Sequence, residues 1–238
     1  MKIALVGFGK MGHEIESIAL ENQDQISFKI TSRNLQELDE INAENTDVAI
    51  EFSKPDTAFQ NISKVLNARV PVVSGTTAWL EKLAAAKQIA EENKTALFYA
   101  PNFSLGVNLF FELNKKLALM MSNYAEYKVD MEEIHHTEKL DAPSGTAVKL
   151  AEELIQIHPQ KTSWINSETE NENELDIISK RISGVPGTHS INYRSSIDEI
   201  SISHVAFSRK GFAKGAWMAA HFIKDKKGFF EMKDLLNL

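Results

Sequence analysis

The residues best suited to chemistry fall in one stretch, Glu133-Ile134-His135-His136-Thr137-Glu138-Lys139-Leu140-Asp141-Ala142-Pro143-Ser144-Gly145-Thr146-Ala147. Histidine moves protons near neutral pH, and lysine offers a compact positive charge to a carboxylate or a developing anion. The two histidines, His135 and His136, and Lys139 are therefore the candidates for proton transfer and for holding an anion. Ser144 is a natural N-cap, so the first free N–H groups of the helix that follows, near Gly145 and Thr146, make an anion site. Ser144, Gly145 and Thr146 are therefore the candidate anion-binding residues, and the expected substrate is small and anionic.

Plainer readings of the same residues compete. His135 and His136 can be metal ligands, but adjacent strand residues point to opposite faces and no third ligand is obvious, so no metal is expected. Lys139 can be a solvated surface residue and Ser144 only a cap. A Ser-based triad is disfavoured, because Ser144 lacks the G-x-S-x-G elbow.

A second constellation lies at the N-terminus. Gly7-Phe8-Gly9-Lys10-Met11-Gly12 fits G-x-G-x-x-G between a predicted strand and a predicted helix. Its first glycine permits a tight turn, its second lets backbone approach a pyrophosphate, and its third allows close helix–strand packing. At the end of the second predicted strand, Ile30-Thr31-Ser32-Arg33-Asn34 has no acid before Glu37. An acid there would bind a ribose 2′-hydroxyl, whereas Arg33 suits a 2′-phosphate, which leans toward NADP; the competing reading is an ordinary surface cation. Two further loops, Gly75-Thr76-Thr77 and Ala100-Pro101-Asn102-Phe103, follow the fourth and fifth predicted strands. Ligands of open α/β sheets bind outside the carboxyl ends of the strands, so both loops are expected to face the cofactor.

These groups need a scaffold, and hydrophobic periodicity supplies one. Strands are predicted over Lys2–Val6, Ile26–Thr31, Val48–Phe52, Val70–Ser74 and Ala96–Ala100, with helices over Met11–Asn22, Pro55–Asn67 and Trp79–Asn93 between them. Pro55 suits a first helical turn, with Ser53 as a plausible cap. This alternation is the mark of βα units on a parallel sheet. After Asn102 the rhythm changes: a helix over Val107–Met121, a strand over Tyr127–His135, and a helix over Thr146–Ile157. Glu168–Glu174 has no apolar residue and reads as a solvated loop. Strands over Leu175–Ser183, Thr188–Ser195 and Glu199–Phe207 follow, then a helix over Ala213–Ile223 and a short tail. No internal repeat is present. The expected fold class is α/β: a Rossmann-type dinucleotide-binding domain over residues 1–104 plus 214–238, and a second, α+β mixed-sheet domain over residues 105–213.

Composition narrows the partners. The 238 residues are 43% hydrophobic and 25% charged, as in globular proteins, so disorder and fibrous classes are excluded. A net charge of -7 and no basic run longer than Lys224–Lys227 argue against nucleic acid as a partner. Absence of cysteine excludes disulfides and thiolate sites and fits a reducing compartment. No apolar stretch approaches the roughly 18–20 residues that span a bilayer. Ile3–Val6 stops at Gly7 and reads as a strand, not a signal peptide. A cytoplasmic protein without membrane contact is expected.

The Glu133–Ala147 segment resembles the signature of the 4-hydroxy-tetrahydrodipicolinate reductase (dihydrodipicolinate reductase) family, roughly E-x-H-H-x-x-K-x-D-A-P-S-G-T-A. The resemblance extends to the G-x-G-x-M-G loop, Glu51-Phe52-Ser53, the Gly-Thr-Thr loop, Asn102-Phe103-Ser104 with Gly106-Val107-Asn108, and Arg209-x-x-Phe212-Ala213-x-Gly215-Ala216. It implies reduction of a cyclic dicarboxylate with NADPH or NADH on the diaminopimelate route to lysine. It also implies His135 as proton donor and acceptor, Lys139 as a second proton donor, His136, Gly145 and Thr146 as substrate binders, and a homotetramer joined through the sheets of the second domains. Departures from the family's pattern are Glu51, where Asp is frequent, Ala78, where Gly is frequent, and Thr137 and Glu138, where basic residues are frequent. Two other classes stand beside this one: a related reductase of another small acid, such as an aspartate dehydrogenase, and a nucleotide sensor that turns over nothing.

Overall fold

The computed structural model describes residues 1–208 and 210–238; Arg209, quoted above in the C-terminal motif, lies outside the described residues. The chain is α/β and divides into two compact units, Met1–Leu105 with Lys210–Leu238, and Gly106–Arg209.

The first unit is built on a parallel six-stranded sheet in the order β11-β5-β4-β3-β1-β2. The strands are β1 (Lys2–Val6), β2 (Gln25–Ile30), β3 (Val48–Glu51), β4 (Val72–Ser74), β5 (Ala96–Tyr99) and β11 (Gly228–Phe230). Their central members are apolar at successive positions because helices cover both faces. Strand alternation divides β1 between them: Ile3 and Leu5 pack beneath α1 (Lys10–Glu21) and α6 (Lys210–Ile223), whereas Ala4 and Val6 pack beneath α2 (Pro55–Asn67) and α3 (Leu83–Glu92).

The second unit is a five-stranded mixed sheet, β10-β9-β6-β8-β7. Its strands are β6 (Lys128–His135), β7 (Ser163–Ile165), β8 (Glu174–Arg181), β9 (Gly187–Arg194) and β10 (Glu199–Ala206). β6 runs antiparallel to β9 and parallel to β8. Along β6 the buried side chains are Val129, Met131, Glu133 and His135. The first two join the core shared with α4 (Leu105–Met121) and α5 (Gly145–Ile157). The same period of two therefore carries Glu133 and His135 onto the helix-covered face.

Several expected elements move, each for a local reason. The strand expected from Val70 begins at Val72, after Pro71, which has no N–H to give a ladder. The helix expected from Trp79 is a 3-10 turn, Leu80–Lys82, followed by α3, and buried Trp79 stays outside both. The N-cap of α2 is Lys54 rather than Ser53, whose hydroxyl is committed to Glu51. The last long helix opens at Lys210, three residues before Ala213, because packing overrides the weak helix propensity of Gly211. The tail is not irregular: β11 pairs in parallel with β5, and α7 (Met232–Leu236) follows it. β7 and a 3-10 turn at Leu35–Glu40 also escape the periodicity.

Ala78, named above as a departure from the pattern the chain resembles, has φ +60°. A Cβ in this left-handed region costs about 1–2 kcal/mol. Ala78→Gly is expected to raise stability by about 0.5–1 kcal/mol once the extra freedom of glycine in the unfolded chain is deducted. A urea midpoint at or below the parent's rejects that account.

Candidate functional site

In the first unit the candidate cofactor residues gather at the carboxyl ends of the strands. β1 lies between β2 and β3, so the chain reverses its direction of travel across the sheet there, and such a switch point is where α/β sheets hold ligands. Gly7 leaves β1 with φ +88°, and a Cβ on it would lie 2.1 Å from the Phe52 carbonyl oxygen. The Gly7 and Phe8 N–H groups both donate to the Ile30 carbonyl, at 3.0 and 2.8 Å. Gly9 caps α1 without any side-chain cap, no acid occupies the first turn, and a Cβ on Gly9 would meet nothing within 4 Å. The positive end of α1 is thus bare and approachable, as a pyrophosphate requires. Lys10 is exposed, Met11 half-buried, and Gly12 buried beneath the Phe8 ring.

At the end of β2, the Asn34 side-chain oxygen accepts from the Thr31 N–H and hydroxyl at 2.7 and 2.8 Å, shaping a turn on which Arg33 is exposed. At the end of β3, fully enclosed Glu51 accepts from the Ser53 N–H (2.8 Å), the Thr76 hydroxyl (2.8 Å) and the Ser74 hydroxyl (2.7 Å). One carboxylate therefore ties the β3 and β4 loops together. Thr76 spends its hydroxyl on that tie, while Thr77 is exposed and Gly75 half-buried. After β5, Ala100 and Phe103 are buried, and the Phe103 ring packs on Phe98 and Phe52 as core. Pro101 is exposed, and the Asn102 side-chain oxygen accepts from the Ser104 N–H.

In the second unit β6 ends at His135, and the chain turns through His136–Pro143 into α5. Ser144 is the N-cap, and its buried hydroxyl accepts from the Ala147 N–H at 3.2 Å and lies 3.2 Å from His189 Nε2. Its side chain is therefore a cap, beyond whose reach lie the N–H groups of exposed Gly145 and half-buried Thr146. Lys139 donates to both carboxylate oxygens of exposed Asp141 at 2.8 Å. That ammonium holds the Asp141 carboxyl below its ordinary range. Arg181 pins the same loop through the Lys139 and Asp141 carbonyls, at 3.3 and 2.6 Å. His136 is half-buried, and its Nδ1 is enclosed without a hydrogen-bond partner.

Behind His135 stands Glu133, with no exposed surface. Burial alone would raise its pKa, but the contacts with His135, Ser144 and Ser179 outweigh burial and hold it well below the usual carboxylate range. His135 Nδ1 lies 3.3 Å from a Glu133 oxygen, a close contact without the alignment of a hydrogen bond. His189, whose ring is 5.1 Å from that of His135, is pushed down to about 4 by burial and then by His135, and is neutral near pH 7.

Glu133, His135 and His189 offer ligand atoms within 4.8 Å of one another. The third donor that adjacency in sequence did not reveal is thus His189, with Glu133, rather than His136. The carboxylate, however, already serves the Ser144 N–H, the Ser179 hydroxyl and the Arg181 cation, a hydrogen-bonded arrangement rather than a vacant cage. Glu133, Ser179, Arg181 and His189 carried no role in the sequence reading. For Glu133 the signal was available in its spacing of two from His135 on a strand; the other three come from β8 and β9, more than forty residues away.

Residues 1–103 match the family model described as dihydrodipicolinate reductase, N-terminus, and residues 106–236 match dihydrodipicolinate reductase, C-terminus. The chain is 49% identical over 237 residues to 4-hydroxy-tetrahydrodipicolinate reductase of Christiangramia forsetii, covering 100% of this chain and 98% of the relative. It is 35% identical over 200 residues to the enzyme of that name from Methanopyrus kandleri, covering 82% and 72%. Its fold is similar to that of dipicolinate-bound dihydrodipicolinate reductase from Paenisporosarcina sp. TG-14, with a TM-score of 0.75, 24% identity and 97% of each chain covered.

Proposed function

The chain belongs to the dihydrodipicolinate reductase family, and from that premise we propose how its residues divide the work. It is an NAD(P)H-dependent oxidoreductase that reduces 4-hydroxy-tetrahydrodipicolinate to tetrahydrodipicolinate, on the diaminopimelate route to lysine. The observation that carries the division is the Ser144-capped start of α5, with Gly145 exposed, one loop away from His135 at the end of β6.

Residues 1–104 plus 214–238 serve as the dinucleotide domain. The open space at Gly9, the uncapped α1 and the absence of acid in its first turn fit a pyrophosphate. Gly7 through Gly12 hold that group, Arg33 meets a 2′-phosphate, and the loops at Gly75–Thr77 and Ala100–Phe103 flank the ring end. The reduced nicotinamide supplies a hydride when bound. Residues 105–213 serve the substrate: the Gly145 and Thr146 N–H groups and His136 hold its carboxylates, and Lys139 exchanges its Asp141 partner for the incoming anion and is a second proton donor. His135 gives the proton that completes reduction. Ser144 contributes by capping α5.

The same unit carries exposed apolar side chains on β10, Ile200 and Val205, and on α4, Leu109 and Leu113. They support association through this unit as a homotetramer. Among the described residues no helix is long and apolar enough to cross a membrane. A cytoplasmic enzyme with neither nucleic acid nor membrane as partner fits this chemistry.

The test is a coupled assay in which an aldolase generates the unstable substrate in place and cofactor absorbance is followed. Oxidation of NADPH or NADH that depends on the aldolase product supports the reading; activity with aspartate and none with that product overturns it. In the same assay Arg33→Ala is expected to weaken NADPH by about 1 kcal/mol or somewhat more, as for a solvent-accessible charge-assisted hydrogen bond, and to leave NADH nearly unchanged. Equal losses for both cofactors reject the 2′-phosphate contact.

A further inference from the structure

Glu133 has no part in the division of work above, yet the fold converges on it. Its oxygens meet the Ser144 N–H at 3.0 and 3.1 Å, the Ser179 hydroxyl at 2.8 Å and the Arg181 guanidinium at 3.4 Å. They also lie 3.3 Å from His135 Nδ1 and 3.8 Å from His189 Nε2. These groups come from α5, β8, β6 and β9. With Nδ1 turned inward, Nε2 is the nitrogen left for another molecule. It lies over Gly187, where an added Cβ would stand 3.1 Å away and crowd it.

We infer that Glu133 is the positioning residue for His135: its carboxylate holds the imidazole with Nδ1 inward and pairs with the charged ring, leaving the Nε2 proton for the substrate. The inference rests on His135 being the proton donor. In the step, the Nε2–H electron pair stays on nitrogen, the proton goes to the reduced substrate, and the neutral ring regains a proton from water. Through the Ser144 N–H the same carboxylate fixes the start of α5, so one buried charge sets both the donor and the anion site. A neutral His189 leaves the carboxylate's charge to His135 and Arg181. The charged or titratable groups around His135 are Glu133 on its own strand, Arg181 on β8, His189 on β9, and Lys139 with Asp141 in the loop, His204 on β10 lying beyond His189.

The test compares pH profiles of kcat/KM in full-length enzyme at saturating NADPH, for the parent, Glu133→Gln, Glu133→Asp and His135→Ala. A nearby carboxylate favours the charged imidazole, and catalysis needs that form, so removing the charge brings the high-pH decline to lower pH. Glu133→Gln is expected to lower kcat/KM at least about ten-fold and to shift that limb downward by about one pH unit, with NADPH affinity unchanged. Glu133→Asp, which keeps the charge at greater distance, recovers part of the rate and of the shift. Loss at every pH with the limb in place, or a profile like the parent's, overturns the inference. If Glu133→Gln does not fold, Glu133→Asp is read the same way, with a smaller displacement in the same direction; an unmoved limb overturns it. A His135→Ala variant with parental rate would instead remove the proton-donor assignment, so the two failures are distinct.

Discussion

Replacing His135 with alanine is expected to lower kcat by about 10²–10⁴-fold, the range for loss of a general acid. Among the described residues, the other ionisable groups near His135 do not stand in for it in the free enzyme. His189 is buried and neutral near pH 7, and the Lys139 ammonium is held by both oxygens of Asp141. The fold should survive the change, because Glu133 keeps the Ser144 N–H, the Ser179 hydroxyl and the Arg181 cation as partners and is not left as an unpaired buried charge. NADPH binding is expected to stay at the parental level, since the residues proposed to hold it belong to the other unit. Steady-state kinetics with a fluorescence titration of NADPH check both parts. A kcat within a few-fold of the parent means that the proton comes from elsewhere.

Legibility in the sequence followed the range of the interactions. The glycine loop, the Rossmann alternation and the Glu133–Ala147 segment are local patterns, and β1, α2 and the Ser144 cap stand at the positions that the pattern gives. Long-range pairing was not readable: β7 and β11 are three-residue strands at sheet edges, paired in parallel with β8 in one case and β5 in the other. The site divides in the same way. His135, Lys139 and Gly145 are near in sequence, but His189 and Arg181 reach Glu133 only because β9 and β8 flank β6. Side-chain commitment was equally hidden. Nothing in Gly75-Thr76-Thr77 says that the Thr76 hydroxyl turns inward to Glu51, or that Phe103 belongs to the core rather than to the loop surface. Ala78 shows the reverse: its departure from the resembled pattern was visible in the sequence, and its left-handed backbone is one that glycine adopts without strain.

Gly145→Ala separates a substrate-binding helix start from a merely structural one. Gly145 is the first residue of α5 and is exposed, and a Cβ on it would meet nothing within 4 Å, so the free enzyme can accept alanine without a clash. Alanine also suits a helix better, by up to about 1 kcal/mol in helix interiors and less in a first turn, so thermal stability should equal or exceed the parent's. A substrate carboxylate that uses the Gly145 and Thr146 N–H groups must enter the space the new methyl occupies. Losing a charge-assisted hydrogen bond costs about 1.5–3 kcal/mol, or roughly 10- to 150-fold in affinity. Titrating pyridine-2,6-dicarboxylate into the NADPH-bound variant by calorimetry is expected to show that loss, with NADPH affinity unchanged. A structural role for Gly145 predicts the opposite combination, a stability gain with parental inhibitor affinity, and that result would take the start of α5 out of the substrate site.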